Sequence, residues 1–147
     1  MQALRMLSNV DIDKAAEVLI RVFEAPPFSY GFLSKGKIVS YLSDIRNTPG
    51  FVGYVLEDGS ETGAYCFGLL CDYFAAPYYE IKEIFVRPDY QGRGVGSFFL
   101  GKIEEDVKKL GARTISLNTS DRIPACSFYL KNGYDISEAA VHMYKQL

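Results

Sequence analysis

Three glycines alternate where a strand-like run gives way to an amphipathic helix, and this turn most constrains the fold. The run ends near Val86, and Gly92, Gly94 and Gly96 follow it. Because glycine has no Cβ, these positions tolerate positive φ and let backbone amides approach a ligand. The first amides of the helix have no partners within it, and the helix dipole adds partial positive charge. The turn therefore predicts a phosphate cradle, with Arg93 as a further cation.

Two common phosphate-binding motifs do not fit this spacing. A Rossmann site needs G-x-G-x-x-G and an acidic residue after the next strand. Here the third glycine falls one position early, Ser97 stands in its place, and the next strand ends at Leu117-Asn118. The P-loop pattern G-x-x-x-x-G-K-[ST] is absent from the sequence. The remaining alternative is a glycine-rich helix start that binds nothing, although alternating glycines are costly in a first helical turn.

Charge and hydropathy argue against nucleic-acid binding and against membrane insertion. The 147 residues carry 16 Lys and Arg against 18 Asp and Glu, so the surplus of positive charge that phosphate backbones attract is missing. The longest apolar runs are far shorter than the roughly 18 residues of a membrane span. Residues 1–8 lack the apolar region of a signal peptide. We expect one domain over residues 1–147, located in the cytoplasm.

The order of predicted elements indicates a mixed sheet covered by helices. Six runs have strand character: Leu4–Leu7, Phe51–Glu57, Thr62–Tyr73, Tyr79–Val86, Arg113–Asn118 and Val141–Lys145. Helical patterns follow Asp11, Ser34 and the glycine turn, and a short one begins at Ala125. A few antiparallel strands followed by β-α-β-α-β predict one sheet with helices on its faces.

Cysteine and histidine content argues against a metal site. The three cysteines (Cys66, Cys71 and Cys126) include no C-x-x-C pair, and His142 is the one histidine of the sequence. We therefore expect no metal and three reduced, partly buried thiols. His142 lies in an apolar stretch, which favours a structural histidine over a catalytic base.

The spacing Gln91-x-x-Gly94-x-Gly96 resembles the acetyl-coenzyme-A cradle of the GCN5-related N-acetyltransferase (GNAT) family. Three further features follow the family order: the run 84–88 before the turn, Asn118 at the next strand end, and the run 128–134 beyond it. The resemblance extends from about Tyr79 to Tyr134. It is nearest to small bacterial proteins similar to aminoglycoside 6′-acetyltransferases and polyamine acetyltransferases.

The resemblance implies an α/β (α+β) fold with a mixed, mostly antiparallel sheet of six to seven strands and about four helices. It also implies acetyl-coenzyme A (acetyl-CoA) as cosubstrate, with the strand before the turn pairing with its pantetheine arm. The implied cofactor-binding residues are Phe85, Val86, Gln91, Gly92, Arg93, Gly94, Val95, Gly96, Ser97 and Asn118. Asn118 has a plainer alternative as a polar residue that ends a strand.

Acetyl transfer needs a neutral amine, although a free alkyl ammonium has a pKa of about 10, and a proton for the leaving thiolate. By the resemblance, Tyr129 is the general acid, and a core tyrosine is the alternative. Glu80 and Glu83 are the candidate bases: one would take the proton of the substrate, and the other would help to hold a cationic substrate. Ordinary alternation places them on opposite faces, but the strand of the family has a bulge that shifts the parity. Solvated or ion-paired carboxylates are the alternative for both.

The expected reaction is acetyl transfer to a primary amine of a small cationic molecule. The substrate side would come from residues 24–30, the region Asp72-Tyr73-Phe74 and the carboxy-terminal segment. Alternatives are a protein or peptide N-acetyltransferase and a non-catalytic acyl-CoA sensor. Neither nucleic acid nor membrane is expected as a partner, and analogy with relatives admits a homodimer.

Overall fold

A five-stranded mixed sheet forms the centre of this computed structural model, which describes residues 2–72, 74 and 76–147. The strands are β1 (Gln2–Met6), β2 (Phe51–Asp58), β3 (Glu61–Cys71), β4 (Tyr78–Val86) and β5 (Thr114–Ser116). They lie in the order β1-β2-β3-β4-β5, antiparallel except for the parallel pair β4 and β5.

Four α-helices cover the two faces of the sheet. They are α1 (Ile12–Glu24), α2 (Lys35–Arg46), α3 (Val95–Lys109) and α4 (Pro124–Lys131). One buried cluster lies between α1, α2 and the sheet, with Leu19, Leu42 and Phe85 among its members. A second lies on the α3 side, where Phe99 and Ile103 pack against Tyr79. The sheet is therefore buried on both faces.

Local chemistry explains where the helices begin and end. Asp11 is the N-cap residue of α1, within a short 3-10 helix, as the sequence predicts. The Ser34 hydroxyl accepts a hydrogen bond from the amide of Lys37 at 3.5 Å, and α2 ends at Arg46 as predicted. The helix α3 begins directly after Gly94, whose φ of 77° places it in the left-handed region that glycine tolerates.

The predicted fold class is confirmed, but the described residues contain five strands rather than six or seven. The predicted last strand, Val141–Lys145, is absent from the sheet, and residues 135–147 are exposed throughout. The strand composition is present there, but the segment has no neighbouring strand to pair with. β5 is also shorter than the predicted run and ends at Ser116.

A bulge in β4 sets the orientation of its side chains. Phe67 of β3 lies opposite Glu83 and Gly68 lies opposite Ile81, so Lys82 has no partner across the ladder. Tyr79 and Ile81 before the bulge, and Ile84 and Val86 after it, all belong to the α3 side of the core. Glu80 and Glu83 therefore share the opposite face, because the extra residue shifts the alternation of side chains by one position.

The side chain of Tyr79 extends from β4 across β3 to β2 and passes close to Gly68, which lies opposite the bulge. Its ring is fully buried, and its hydroxyl donates a hydrogen bond of 2.6 Å to the carbonyl of Val52. A Cβ at Gly68 would collide with this ring and with the carbonyl of Glu80. Glycine at position 68 is therefore a steric requirement of this part of the sheet.

Strands β4 and β5 separate soon after they meet. Their parallel pairing joins Tyr78, Tyr79 and Glu80 to residues 114–116 and goes no further. β4 continues to Val86, so its second half has no strand on the β5 side among the described residues. A gap opens through the sheet at this point.

The lone histidine does not pack as expected. His142 is exposed and stacks on the ring of Tyr144, with ring centroids 6.2 Å apart, so it lacks the burial expected of a structural histidine. Cys66 is buried and Cys71 and Cys126 are half-buried, all three as free thiols.

Among the described helices, none has the length and apolar character needed to cross a membrane.

Candidate active site

A cavity of about 590 Å³ occupies the gap between β4 and α4 and reaches both faces of the sheet. Helix α1 forms one wall, and the glycine turn with the start of α3 forms the other. The predicted site residues that line it are Glu83, Phe85, Val86, Gln91, Gly92, Gly94, Val95, Gly96, Ser97 and Tyr129. Ten of the thirteen predicted residues thus meet in one cavity.

The glycine turn lines this cavity. Gly92 and Gly94 both have positive φ, 75° and 77°, and a Cβ at either would meet nothing within 4 Å. The first turn of α3, at Val95, Gly96 and Ser97, lines the cavity directly. Because helix-start amides lack partners within the helix and carry partial positive charge, this wall suits an anionic group.

A side-chain contact ties the turn to the end of β4. Gln91 Nε2 donates a hydrogen bond of 3.0 Å to the carbonyl oxygen of Val86. Gly96 lies against the ring of Phe128, where a Cβ would come within 3.3 Å of Cε2. The turn is thus positioned between the strand and α4.

Glu83 brings a carboxylate into the cavity from β4. Its Oε1 accepts a hydrogen bond of 2.7 Å from the hydroxyl of Tyr41 on α2. Burial raises the pKa of Glu83, and the Tyr41 hydrogen bond opposes that rise because it favours the ionised form. A carboxyl with a raised pKa is a better proton acceptor than an ordinary surface carboxylate.

Tyr129 faces the cavity from α4. Its ring packs against Phe128 and Tyr134, with centroids 5.2 Å and 5.5 Å away. Burial raises the pKa of Tyr129 above its ordinary value, and the negative charges of Cys66 and Glu83, when ionised, act in the same direction. The hydroxyl therefore stays protonated near neutral pH and is available as a proton donor.

Three predicted residues lie outside the cavity lining. The Glu80 carboxylate forms an ion pair of 3.0 Å with Lys82. Arg93 lines a smaller second cavity together with Asp58 and Tyr90. Asn118 is exposed beyond the end of β5.

The part of the opposite wall that α1 forms was not predicted, whereas Phe28 belongs to the predicted substrate loop. Leu19, Val22 and Phe23 of α1 line the cavity, joined by Phe28 of the following loop. The rings of Phe23 and Phe28 meet edge to face with centroids 5.2 Å apart. The helical spacing of these α1 residues signalled only a core-facing helix, since a cavity wall and a core have the same periodicity.

The other predicted substrate regions contribute less. Asp72 and Phe74 are exposed, and Tyr73 lies outside the described residues. Of the loop 24–30, the cavity lining includes Phe28. Within the described ranges, no three His, Cys, Asp or Glu side chains cluster as metal ligands would.

Comparison with known proteins points to one family of acetyltransferases. The model of the acetyltransferase (GNAT) family matches residues 17–134. An uncharacterized N-acetyltransferase of Methanocaldococcus jannaschii is 40% identical over 60 residues, which are 40% of this chain and 26% of that protein. The aminoalkylphosphonate N-acetyltransferase of Salmonella typhimurium is 39% identical over 56 residues, 37% of this chain and 36% of that protein.

Solved structures share the fold across the whole chain. An aminoglycoside acetyltransferase from an uncultured soil metagenomic sample, in complex with sisomicin, has a TM-score of 0.74 at 16% identity, over 99% of this chain and 96% of that one. The chain belongs to the GNAT acetyltransferase family, as its motifs indicated. It spans about a quarter to a third of the curated relatives described above.

Proposed function

We propose that this chain is one N-acetyltransferase domain over residues 1–147 that transfers acetyl from acetyl-CoA to a primary amine. The observation that carries the proposal is the shared cavity, which brings the amides of the glycine turn, the Glu83 carboxylate and the Tyr129 hydroxyl together. An anion site, a base and an acid are the three groups that direct acyl transfer requires.

The residues present fit the coenzyme in two ways. The amides at Gly92, Gly94 and the start of α3 suit a pyrophosphate. The half of β4 at Phe85 and Val86, left without a strand on its β5 side, suits an extended arm that pairs with backbone groups. Gln91 supports this arrangement indirectly, because its amide holds the turn against Val86.

The reaction balances with the groups at hand. Glu83 accepts a proton from the bound ammonium, directly or through water. The neutral nitrogen forms a bond to the acetyl carbon, and the carbon–sulfur bond breaks. Tyr129 supplies the proton that the leaving thiolate takes up. We assign the base to Glu83 rather than Glu80, because Glu80 is ion-paired to Lys82 and does not line the cavity.

The acceptor is a small amine that carries positive charge. Among the described lining residues Glu83 is the one carboxylate, and the wall beyond it is apolar at Leu19, Val22, Phe23 and Phe28. The relative named for an aminoalkylphosphonate supports an amine acceptor of small size. We propose that the enzyme acts in the cytoplasm, as its overall composition suggests, and, by analogy with relatives, that it forms a homodimer.

The test follows free thiol release from acetyl-CoA against a panel of aminoglycosides, polyamines, amino acids, aminoalkylphosphonates and short peptides. Turnover with a small amine, lost in Glu83→Gln, is expected. Turnover confined to peptides would instead indicate a peptide acetyltransferase. Calorimetry with acetyl-CoA accompanies the assay: tight binding with no acceptor would indicate a sensor, and no binding would refute the cradle.

A further inference from the structure

The cavity has two chemically different ends. The glycine turn and the start of α3 form the end that suits an anion. At the other end Glu83 leaves β4 on the face that packs against α1, since Phe85, the next residue on that face, is buried in the cluster between the sheet and α1. Because the proposed base must reach the acceptor nitrogen, the acceptor lies on the α1 side of the sheet.

Apolar side chains line the cavity on that side and form the α1 wall (Leu19, Val22, Phe23 and Phe28). The first three recur at the three- and four-residue spacing of one helical face. Leu19 is fully buried, whereas the other three are half-buried and so keep carbon surface that the rest of the chain does not cover. Because it is favourable to cover such surface with the carbon atoms of a ligand, the α1 wall suits an apolar group.

The loop after α1 is held against the end of that helix. The amide of Tyr30 donates a hydrogen bond of 2.9 Å to the carbonyl of Phe23, and the amide of Ser29 donates one of 3.0 Å to the carbonyl of Ala25. The rings of Phe23, Phe28 and Tyr30 contact one another, with centroids 5.2, 5.4 and 5.8 Å apart. Backbone and ring contacts therefore fix Phe28 in the α1 wall, so the apolar end of the cavity is formed without a ligand.

Charged groups are scarce in the cavity lining. Among the described residues that line it, the charged side chains are Glu83 and Lys131, one of each sign. One carboxylate can neutralise one ammonium group. A second ammonium on the same acceptor would lose water against the carbon surface of the α1 wall and would gain no ionic partner there. Polyamines and aminoglycosides carry such additional ammonium groups, so the lining favours an acceptor with a single positive charge.

We propose that the acceptor is a primary monoamine with an apolar body, an alkylamine or arylalkylamine, whose ammonium group meets Glu83 and whose carbon atoms cover the α1 wall. This inference rests on the proposed function, because it takes Glu83 as the group that receives the proton of the amine. The nitrogen forms its bond to the acetyl carbon, the carbon–sulfur bond breaks, and the thiolate takes its proton from Tyr129. The product is a neutral amide, which no longer forms an ion pair with Glu83 and is therefore released more readily than the substrate.

The test compares hexylamine with cadaverine, a diamine of the same length in which an ammonium group replaces the terminal methyl group. The measurement is kcat/KM for thiol release from acetyl-CoA by the wild type. Hexylamine should exceed cadaverine by about 10²-fold, because the second ammonium has no partner on the α1 wall. Along the series propylamine, butylamine, pentylamine and hexylamine, each added methylene should raise kcat/KM about threefold to fivefold. Equal values for hexylamine and cadaverine would overturn the proposal.

A change of charge on the α1 wall should reverse this preference. Val22→Asp places a second carboxylate among the lining residues, and it should raise the ratio of cadaverine to hexylamine turnover at least about tenfold. Val10→Asp is the matched control, because it makes the same substitution at a position that is 86% exposed and outside the lining. Its ratio should equal that of the wild type. An unchanged ratio in folded Val22→Asp would contradict the proposal, and the wild-type comparison decides the matter if that variant does not fold.

Calorimetry of both amines with the protein saturated with coenzyme A separates this inference from the proposed function. Hexylamine that binds more tightly than cadaverine but is not acetylated would support the α1 wall as its site and would contradict the transferase reaction. Hexylamine that neither binds nor reacts would overturn the inference. Turnover that rises with the length of the acyl chain of the donor, and not with the length of the amine, would assign the α1 wall to the acyl group and would also overturn it.

Discussion

The hydroxyl of Tyr41 donates a hydrogen bond of 2.7 Å to Oε1 of Glu83, and this contact links α2 to the bulged strand β4. Tyr41 does not line the cavity, so its effect reaches the reaction through Glu83. The hydrogen bond favours the ionised carboxylate, whereas burial favours the neutral acid.

Tyr41→Phe should therefore raise the pKa of Glu83 further. Because a base must be deprotonated, activity falls as pH drops through that pKa. The acid limb of the kcat/KM profile should move to higher pH in the variant, while the rate on the alkaline plateau changes little. The measurement is the pH profile of thiol release in the wild type and in the variant. If the acid limb of the kcat/KM profile does not move in Tyr41→Phe, then Tyr41 does not act as a positioning residue for Glu83.

Tyr129→Phe should lower kcat by about 10²-fold, because it deletes the proposed proton donor for the leaving thiolate. The affinity for acetyl-CoA should stay unchanged, since the ring and its packing against Phe128 and Tyr134 remain. Single-turnover kinetics together with calorimetry separate the two quantities. Equal loss of binding and rate would indicate that Tyr129 has a packing role.

Gly94→Ala tests the phosphate cradle, and Gly59→Ala is its control because it imposes a similar backbone strain away from the cavity. Gly94 and Gly59 both have positive φ, 77° and 66°, and a Cβ at either position meets nothing within 4 Å. Alanine should therefore cost each site about 1–2 kcal/mol of stability. Gly94→Ala should also weaken acetyl-CoA binding about tenfold, whereas Gly59→Ala in the β2–β3 turn should leave binding unchanged. Equal affinities in the two variants would count against the cradle.

Glu83→Gln should stabilise the protein at neutral pH while it removes the proposed base. Burial raises the pKa of Glu83, so folding disfavours the ionised form. The stability of the wild type therefore falls as pH rises from the unfolded-state pKa of about 4.3 through the higher folded value. A gain on the order of 1 kcal/mol would raise Tm by about 2–4 °C for a chain of this size.

The control for that prediction is to measure the same difference in Tm at low pH. Near pH 4 the Glu83 carboxyl is protonated in the folded protein, and the Tm difference between the variant and the wild type should shrink toward zero. A Tm advantage of the same size at both pH values would place its origin in packing rather than in the buried charge.

The part of the site that could be predicted from sequence is local. The turn between β4 and α3 depends on the conformational freedom of Gly92 and Gly94, which is a property of those residues themselves. The family resemblance, rather than the residue pattern, implied a bulge in β4, and the structure locates it at Lys82. Side-chain alternation alone would have placed Glu83 on the wrong face.

Contacts between distant elements could not be predicted. Tyr41 occupies a half-exposed helical position, and nothing in its neighbourhood in sequence indicates a carboxylate 42 residues away. The run Val141–Lys145 has strand composition, but whether it pairs depends on an edge that local sequence does not describe. The apolar residues of α1 have the same helical periodicity whether they face a packed core or the wall of a cavity, so the sequence does not distinguish the two.

The extra residue in β4 has an evolutionary consequence. Lys82 interrupts the ladder and sets its ammonium beside Glu80, which leaves Glu83 as the carboxylate that faces the cavity without a cation. Loss of Lys82 would keep both ends of the strand in register and would release the second acid on the same face. A single codon gained or lost here would thus decide whether Glu80 keeps its cation, without any substitution in the cavity wall.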